Sequence, residues 1–492
     1  MMHPSMTHLS TTRPSMKRPP VRRYAKVLAL ALAASTLAGC ATFSDDGGVG
    51  DVSRLTVERT GQPVQRFQDA AATRASVQQL ASQPLTPDSS VRIALLGNRG
   101  LQAALADLGV AEADLVQAGR MRNPGFSYGR IEGGGEVEID RSIMFDLAGL
   151  LTMPLRRDIE GKRFEQAKLA AAAQAVTLAT DTRIAYFNAV AARQSADYAE
   201  QVKGAAEAAA ELAQRMANVG NWSRLDQARE QVFYADATTQ LAHARHTALA
   251  TREQLTRLLG LWGEDTAYVL PQRLPDLPAT ANRMPDIEAL AIAQRLDIQM
   301  ARRDTEAMAS ALGLSKATGF VNVLDVGYQN KSTSGQPRAN GYQIALELPI
   351  FDWGTTRNSR AEARYMQAVH HTADIAIRAR SEVRVAYSGY RTGFDVATHY
   401  RNEVLPLRKR ISDEVLLRYN GMLASVFELL SDSKAQIASV NATIAAQRDF
   451  WVADTVLQAA INGGGSGGGG GGNNAAGSGQ PQTASVAATP AH

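Results

Sequence analysis

Apolar positions recur at helical spacing through most of the chain, and the pattern shifts to strict alternation in only four short places. Residues 89–120 carry Ile93, Leu96, Leu101, Leu105, Leu108 and Leu115 at helical spacing. Two alternating segments follow, roughly 125–131 and 137–149, joined by Gly133, Gly134 and Gly135, which read as a hairpin loop. From 155 to 218 there is no Pro and only two Gly, Gly161 and Gly204. That spacing predicts a helix of roughly 95 Å. A helix so long needs lateral partners throughout, and its Ala-rich start (Ala167, Ala170 to Ala173, Ala175) permits close approach. A turn near Gly220 leads to a returning helix ending near Leu261.

The same order then recurs. Leu101-Gln102 aligns with Ile298-Gln299, and Leu151 to Leu155 (LTMPL) aligns with Leu346 to Ile350 (LELPI). Arg183 to Tyr186 aligns with Arg384 to Tyr387, and Gly220 with Gly421. Four matches in one order point to an internal duplication. The second copy predicts a helix at 286–316, strands at 319–330 and 341–351, a long helix at 355–420 and a return to about Asn462. Tyr342, Ile344, Leu346 and Leu348 share one face of the last strand. Pro406 predicts a kink, because it removes an amide donor and clashes one turn back. The units are therefore 89–262 and 285–462, with a linker at 263–284.

The first 39 residues change where this body must work. They hold Arg13, Lys17, Arg18, Arg22, Arg23 and Lys26 with no acidic residue, followed by an apolar run from Val27 to Gly39. This is the layout of a secretory signal peptide. The run is shorter than the roughly 20 residues a spanning helix needs. Leu37 to Cys40 (LAGC) resembles a bacterial lipobox, which implies acylation at Cys40 and a lipid-anchored segment over 40–88. Ala41 follows, where an Asp would favour inner-membrane retention, so the resemblance points to the outer membrane. Losing the six positive charges with the signal moves the net charge from +4 to −2, which leaves no reason to expect nucleic-acid binding. Cys40 is the only cysteine, so no intramolecular disulfide or thiolate metal site can form. Residues 463–492 are Gly-, Ser-, Asn- and Ala-rich and read as disordered.

No catalytic pattern emerges. Glu160 to Arg163 (EGKR) lacks the glycine spacing and Ser/Thr of a phosphate loop. His243 with His246, and His370 with His371, have no acidic partner at metal-ligand spacing. The chain reads as a non-enzyme with no cofactor and no metal. Four strands cannot close a transmembrane barrel, since the smallest have about eight. If these strands enter a membrane, several chains must share one barrel, because an open edge in lipid leaves backbone groups unpaired.

Residues 89–462 resemble the TolC-like outer-membrane efflux proteins in their lipid-anchored branch. The carriers are Leu346 to Gly354 (LELPIFDWG), the turn from Asn218 through Gly220 to Asp226, and Arg418 to Gly421 (RYNG). The resemblance implies a mainly α fold with a small β part: a homotrimer whose 12-stranded transmembrane β-barrel, four strands per chain, continues into a long periplasmic α-helical barrel. It implies strand–helix junctions at Pro154, Pro349, Asp352 and Gly354, and turns at Gly220 and Gly421 that dock a periplasmic adaptor. It also implies a periplasmic gate in which Asp226 meets Tyr419, with Glu428 and Asp432 at the constriction. Taken alone, Asp226, Glu428 and Asp432 read as solvated helix-start residues. Copy one departs from the pattern with Pro154-Leu155-Arg156-Arg157, Ala424 replaces the family's Arg, and the second turn reads one residue short before Glu428. The implied function is a passive conduit for drugs or metal ions from an inner-membrane pump, through the adaptor, to the exterior. Export of polypeptides by a type I secretion system is the alternative. A lipid-anchored coiled-coil scaffold without a pore is the alternative of another class, and the strand pairs argue against it.

Overall fold

The computed structural model describes residues 42–67, 69–318, 323–347, 351 and 353–463. Cys40, Pro349, Asp352 and the tail beyond Gly463 lie outside the described residues. Two helices precede the first repeat, α1 (Val49–Thr60) and α2 (Ala70–Ala81). Neither was foreseen in the segment 40–88. Asp69 caps α2 through the amides of Ala71 and Ala72. The α1 helix is pinned by Asp51, which accepts from the buried Lys168 Nζ at 2.8 Å.

Each helix predicted before the strands is in fact two. In repeat one these are α3 (Pro87–Gly97) and α4 (Arg99–Ala118), and in repeat two α7 (Ile287–Gln294) and α8 (Leu296–Ala317). The breaks fall at Asn98 and Arg295, both extended, with ψ of 118° and 125°. Each break is held by its own side chain. Asn98 caps the Leu101 amide and donates to the Leu258 carbonyl at 3.0 Å. Arg295, buried, forks onto Asp297 and Glu382 and donates to the Ala460 carbonyl at 2.9 Å.

The long helices are α5 (Leu147–Asn218) with its return α6 (Arg224–Leu259), and α9 (Thr355–His399) with α10 (Leu405–Asn420) and the return α11 (Val426–Asn462). Helix α5 starts before the predicted junction, so Pro154 lies within it as its eighth residue rather than ahead of it. The Asp146 carboxylate caps the Gly149 amide at 2.6 Å and sets the earlier start. Pro154 is exposed and, as the eighth residue, forfeits one bond of the helical ladder in the second turn. Before Pro406, Tyr400–Val404 forms a π-helical turn between α9 and α10. The predicted interruption is thus a widened turn, which supplies an alternative to the bond that Pro cannot make.

Two of the three buried clusters repeat one another. In the first, Ile93, Leu255 and Leu259 surround Tyr186, whose hydroxyl donates to the Leu85 carbonyl at 2.9 Å. Burial pushes the Tyr186 phenol up to about 12. In the second, Val383, Phe450 and Leu457 surround Tyr390, whose hydroxyl accepts from the Asn282 amide at 3.0 Å. Fully burying one such Leu or Phe contributes about 1.5–3 kcal/mol. Arg183 meets Asp88 at 2.9 Å and Arg384 meets Glu288 at 3.6 Å, so the Arg match in the sequence marks one ion pair made twice. The linker ties the cores together: Leu270 and Leu274 enter the first and Leu277 the second. The Pro275 carbonyl accepts from Gln447 Nε2 at 2.6 Å and Trp451 Nε1 at 3.0 Å.

Candidate functional site

Two places carry the candidate functional residues: the sheet, and the turns at the far ends of the long helices. The strands are β1 (Gly125–Gly133), β2 (Glu136–Asp146), β3 (Leu324–Thr333) and β4 (Ala339–Leu346). They form one antiparallel sheet in the order β1-β2-β3-β4, so the two repeats join through the β2–β3 pairing. Gly134 and Gly135 both have positive φ, at 65° and 83°, which is what a two-residue hairpin of the mirror-image turn type requires. Strands β1 and β4 are the edges, and neither has a second partner among the described residues.

Register sets two faces of different character near the helices. Phe126, Ile143, Tyr328 and Tyr342 are successive cross-strand partners and share a face with Phe145, Val326 and Ile344. All but Val326 in that set are exposed. The opposite face carries Ser127, Gly129, Glu138, Asp140, Ser142, Gly327, Gln329 and Lys331. Glu138 and Lys331 form an ion pair on it. At its helix-side end Asp146 stands directly across from Asp325, with Arg122 3.6 Å from Asp146. One face is thus apolar and aromatic, the other polar and built with small residues.

Among the described residues no helix is long and apolar enough to cross a membrane, which says nothing of a β-barrel. Of the four predicted junction residues, Gly354 is observed at the start of α9 with φ of 77°, and Pro154 has been corrected above.

Both distal turns close by the same hydrogen bonds. Asn221 N donates to the Met216 carbonyl at 3.0 Å, and Leu423 N to the Arg418 carbonyl at 2.8 Å. This makes Met422, not Gly421, the geometric counterpart of Gly220. Gly220 has φ of 81°, Met422 has φ of 59°, and Gly421 has φ of −81°. The turns are therefore equal in length, which corrects the reading of a missing residue. Ser223 and Ser425 are the matching caps, and Glu428 is the counterpart of Asp226.

Within one chain Asp226 is engaged by Ser223 at 2.6 Å and Arg229 at 3.3 Å, and no hydrogen bond joins it to Tyr419, which is half-buried. The Glu428 amide donates to Ser425 Oγ at 3.2 Å. Asp432 has one buried carboxylate oxygen without a hydrogen-bond partner. Sequence reasoning missed Glu230, which is 4% exposed on α6 with an unpartnered Oε2. Desolvation raises its carboxyl above the usual range, opposed by Lys434. Two cation–π contacts bring α6 to α11 here, Arg229 over Phe427 at 5.1 Å and Lys434 over Phe233 at 5.3 Å. At the turns Val219, Leu225, Met422, Leu423 and Phe427 are all exposed.

No family model and no curated protein matches this chain. Solved structures do. The outer membrane protein VceC of Vibrio cholerae is similar with a TM-score of 0.64 and 16% identity, covering 79% of this chain and 96% of its own. The outer-membrane channel OprN gives 0.66 and 18%, covering 83% and 95%. The open-state outer membrane channel MtrE of Neisseria gonorrhoeae gives 0.61 and 18%, covering 79% and 89%. The chain has the fold of TolC-like outer-membrane channels.

Proposed function

We propose that three copies of this chain form an outer-membrane channel, the passive exit duct of a tripartite efflux system. The single observation that carries this reading is the sheet: four strands with both edges open, one face apolar and aromatic, the other polar. Such a sheet in lipid leaves its edge amides and carbonyls unpaired unless another copy supplies the partner. Pairing β4 of one copy with β1 of the next, around three copies of four strands, gives twelve strands and turns the polar face to a lumen. The long helices then continue the lumen away from the membrane.

Energy comes from elsewhere in this scheme, from an inner-membrane pump acting through a periplasmic adaptor. The exposed apolar residues at the two turns are the surface offered to that adaptor, and Asp226, Tyr419, Glu428 and Asp432 of three chains form the constriction. Acylation at Cys40 tethers the N-terminal segment to the same membrane. The cargo is small molecules, drugs or metal ions.

Planar-bilayer recording of the purified full-length protein tests the reading. A channel gives discrete conductance steps from a species with the mass of three chains. A coiled-coil scaffold gives none, and that result would retire the channel.

A further inference from the structure

The apolar face of the sheet changes character along the strands. Nearest the helices, Leu324 pairs with Leu346, and Phe145, Val326 and Ile344 form the next row. Above them lies the row Phe126, Ile143, Tyr328 and Tyr342, rich in aromatics. The row after that is Tyr128, Arg141, Asn330 and Asn340. Arg130 follows on β1, opposite Ile139, and is a diagonal neighbour of Arg141 on the same face. Apolar, then aromatic, then cationic and amide-bearing is the order met on crossing from hydrocarbon through the interface to headgroups.

The polar row is built rather than scattered. Arg141 Nη1 donates to Asn330 Oδ1 at 3.2 Å, and Asn330 Nδ2 donates to Asn340 Oδ1 at 2.7 Å. The Asn330 amide therefore engages one donor of the guanidinium and leaves the others for a further acceptor. Among the described residues Arg141 has no carboxylate in ion-pair range, whereas Arg130 shares its charge with the exposed Glu132. The acidic residues Glu138 and Asp140 are on the opposite face, and the nearest lysine, Lys331, is there with them. A guanidinium set just beyond an aromatic row on a lipid-facing surface, with no protein counter-charge, calls for an anion from the lipid side.

We infer that Arg141, supported by Arg130 and the Asn330–Asn340 pair, binds the phosphate of a glycolipid headgroup in the leaflet farther from the helices. The planar fork of Arg matches phosphate oxygens in a bidentate way, and the neighbouring amides and the Tyr128 hydroxyl suit the sugar hydroxyls. Three copies would place three such sites around the barrel. The inference rests on the channel reading, which sets this face toward lipid.

The test uses purified full-length protein and a bisphosphorylated, acylated glucosamine disaccharide, with its enzymatically dephosphorylated form as control. Lipid retained through native mass spectrometry is compared for wild type and the Arg141→Gln, Arg130→Gln double variant. Wild type is expected to hold the phosphorylated lipid about tenfold more tightly than either the control lipid or the double variant holds it. Equal retention of both lipids by wild type, or equal retention of the phosphorylated lipid by variant and wild type, overturns the inference. Bilayer conductance of the same preparations separates the two failures. A conducting wild type with indifferent lipid binding sinks the headgroup site alone. Protein that neither conducts nor retains lipid sinks the channel and the site together.

Discussion

The Ser223 hydroxyl donates to Asp226 Oδ2 at 2.6 Å and accepts from the Asp226 amide at 3.1 Å, a reciprocal lock on the first turn of α6. It leaves Asp226 Oδ1, held only by Arg229 at 3.3 Å, as the oxygen open to a partner from outside the chain. Tyr419 of a neighbouring copy is the proposed partner. A hydrogen bond to a charged group contributes about 1.5–3 kcal/mol, so three copies could keep a tip shut until an adaptor docks. Asp226→Ala with Tyr419→Phe is expected to raise single-channel conductance and antibiotic sensitivity without loss of the trimer. Ser223→Ala serves as the control: it weakens the cap by about 0.5–2 kcal/mol and should leave conductance low. Unchanged conductance in the double variant would make Asp226 an ordinary helix-start residue.

The two turns make a stability prediction that the glycines alone would have reversed. Gly220 holds a left-handed conformation, so Gly220→Ala should cost about 1–2 kcal/mol. Gly421 does not, and Gly421→Ala should be close to neutral. Met422 sits in the left-handed position itself, so Met422→Gly should relieve about 1 kcal/mol. Thermal midpoints of the three variants would give that order; equal destabilisation by both Gly→Ala changes would contradict the assigned turn geometry. Efflux reads the same surface differently. Leu423→Asp should disrupt adaptor docking while barrel and trimer persist, because it places charge on an exposed apolar tip.

Glu230 predicts an inverted pH dependence. Its carboxyl is raised in the folded protein, first by desolvation, and Lys434 on α11 only partly offsets this. Asp226 and Arg229 lie within one turn on α6 itself. A raised acid binds its proton more tightly folded than unfolded. Its contribution is therefore most favourable below the ordinary glutamate range and is lost as pH rises through the folded-state value. Glu230→Gln should abolish that component and raise the midpoint at neutral pH. Parallel pH profiles for wild type and variant would refute it.

Cys40→Ser should abolish acylation while leaving some functional trimer, since the proposed barrel would itself hold the protein in the membrane. One acyl chain gives only marginal binding, and a lipoprotein cysteine contributes more than one. Acyl labelling of the variant at wild-type levels would reject the lipobox; complete failure of assembly would make the anchor a requirement for insertion.

Much of this is legible in the sequence itself. The duplication, the hairpin at Gly133 to Gly135 and the long helices follow from periodicity, which reports the buried face directly. The departures share one cause, competition between a local signal and a bond made elsewhere. Pro154 reads as a boundary, yet the Asp146 cap starts the helix earlier. Residues 89–120 read as one helix, but Asn98 spends its side chain on Leu101 and Leu258 and breaks it. Glycine preference points to Gly421, whereas the Leu423-to-Arg418 bond puts Met422 in the left-handed position. Glu230 had no signature at all, because its charged neighbour Lys434 comes from α11, some 200 residues away in sequence.

The open edges of the sheet have a genetic consequence. If β1 and β4 are satisfied only by neighbours, a chain damaged at one edge still offers a sound one, and so enters assemblies before it spoils them. Where sound and damaged chains are made in equal amounts and mix freely, about one trimer in eight contains no damaged copy. Substitution of Tyr342, whose amide faces the open side of β4, by proline should therefore behave as dominant over the wild-type allele. Loss of the whole chain should be recessive, since every assembly that forms is then intact.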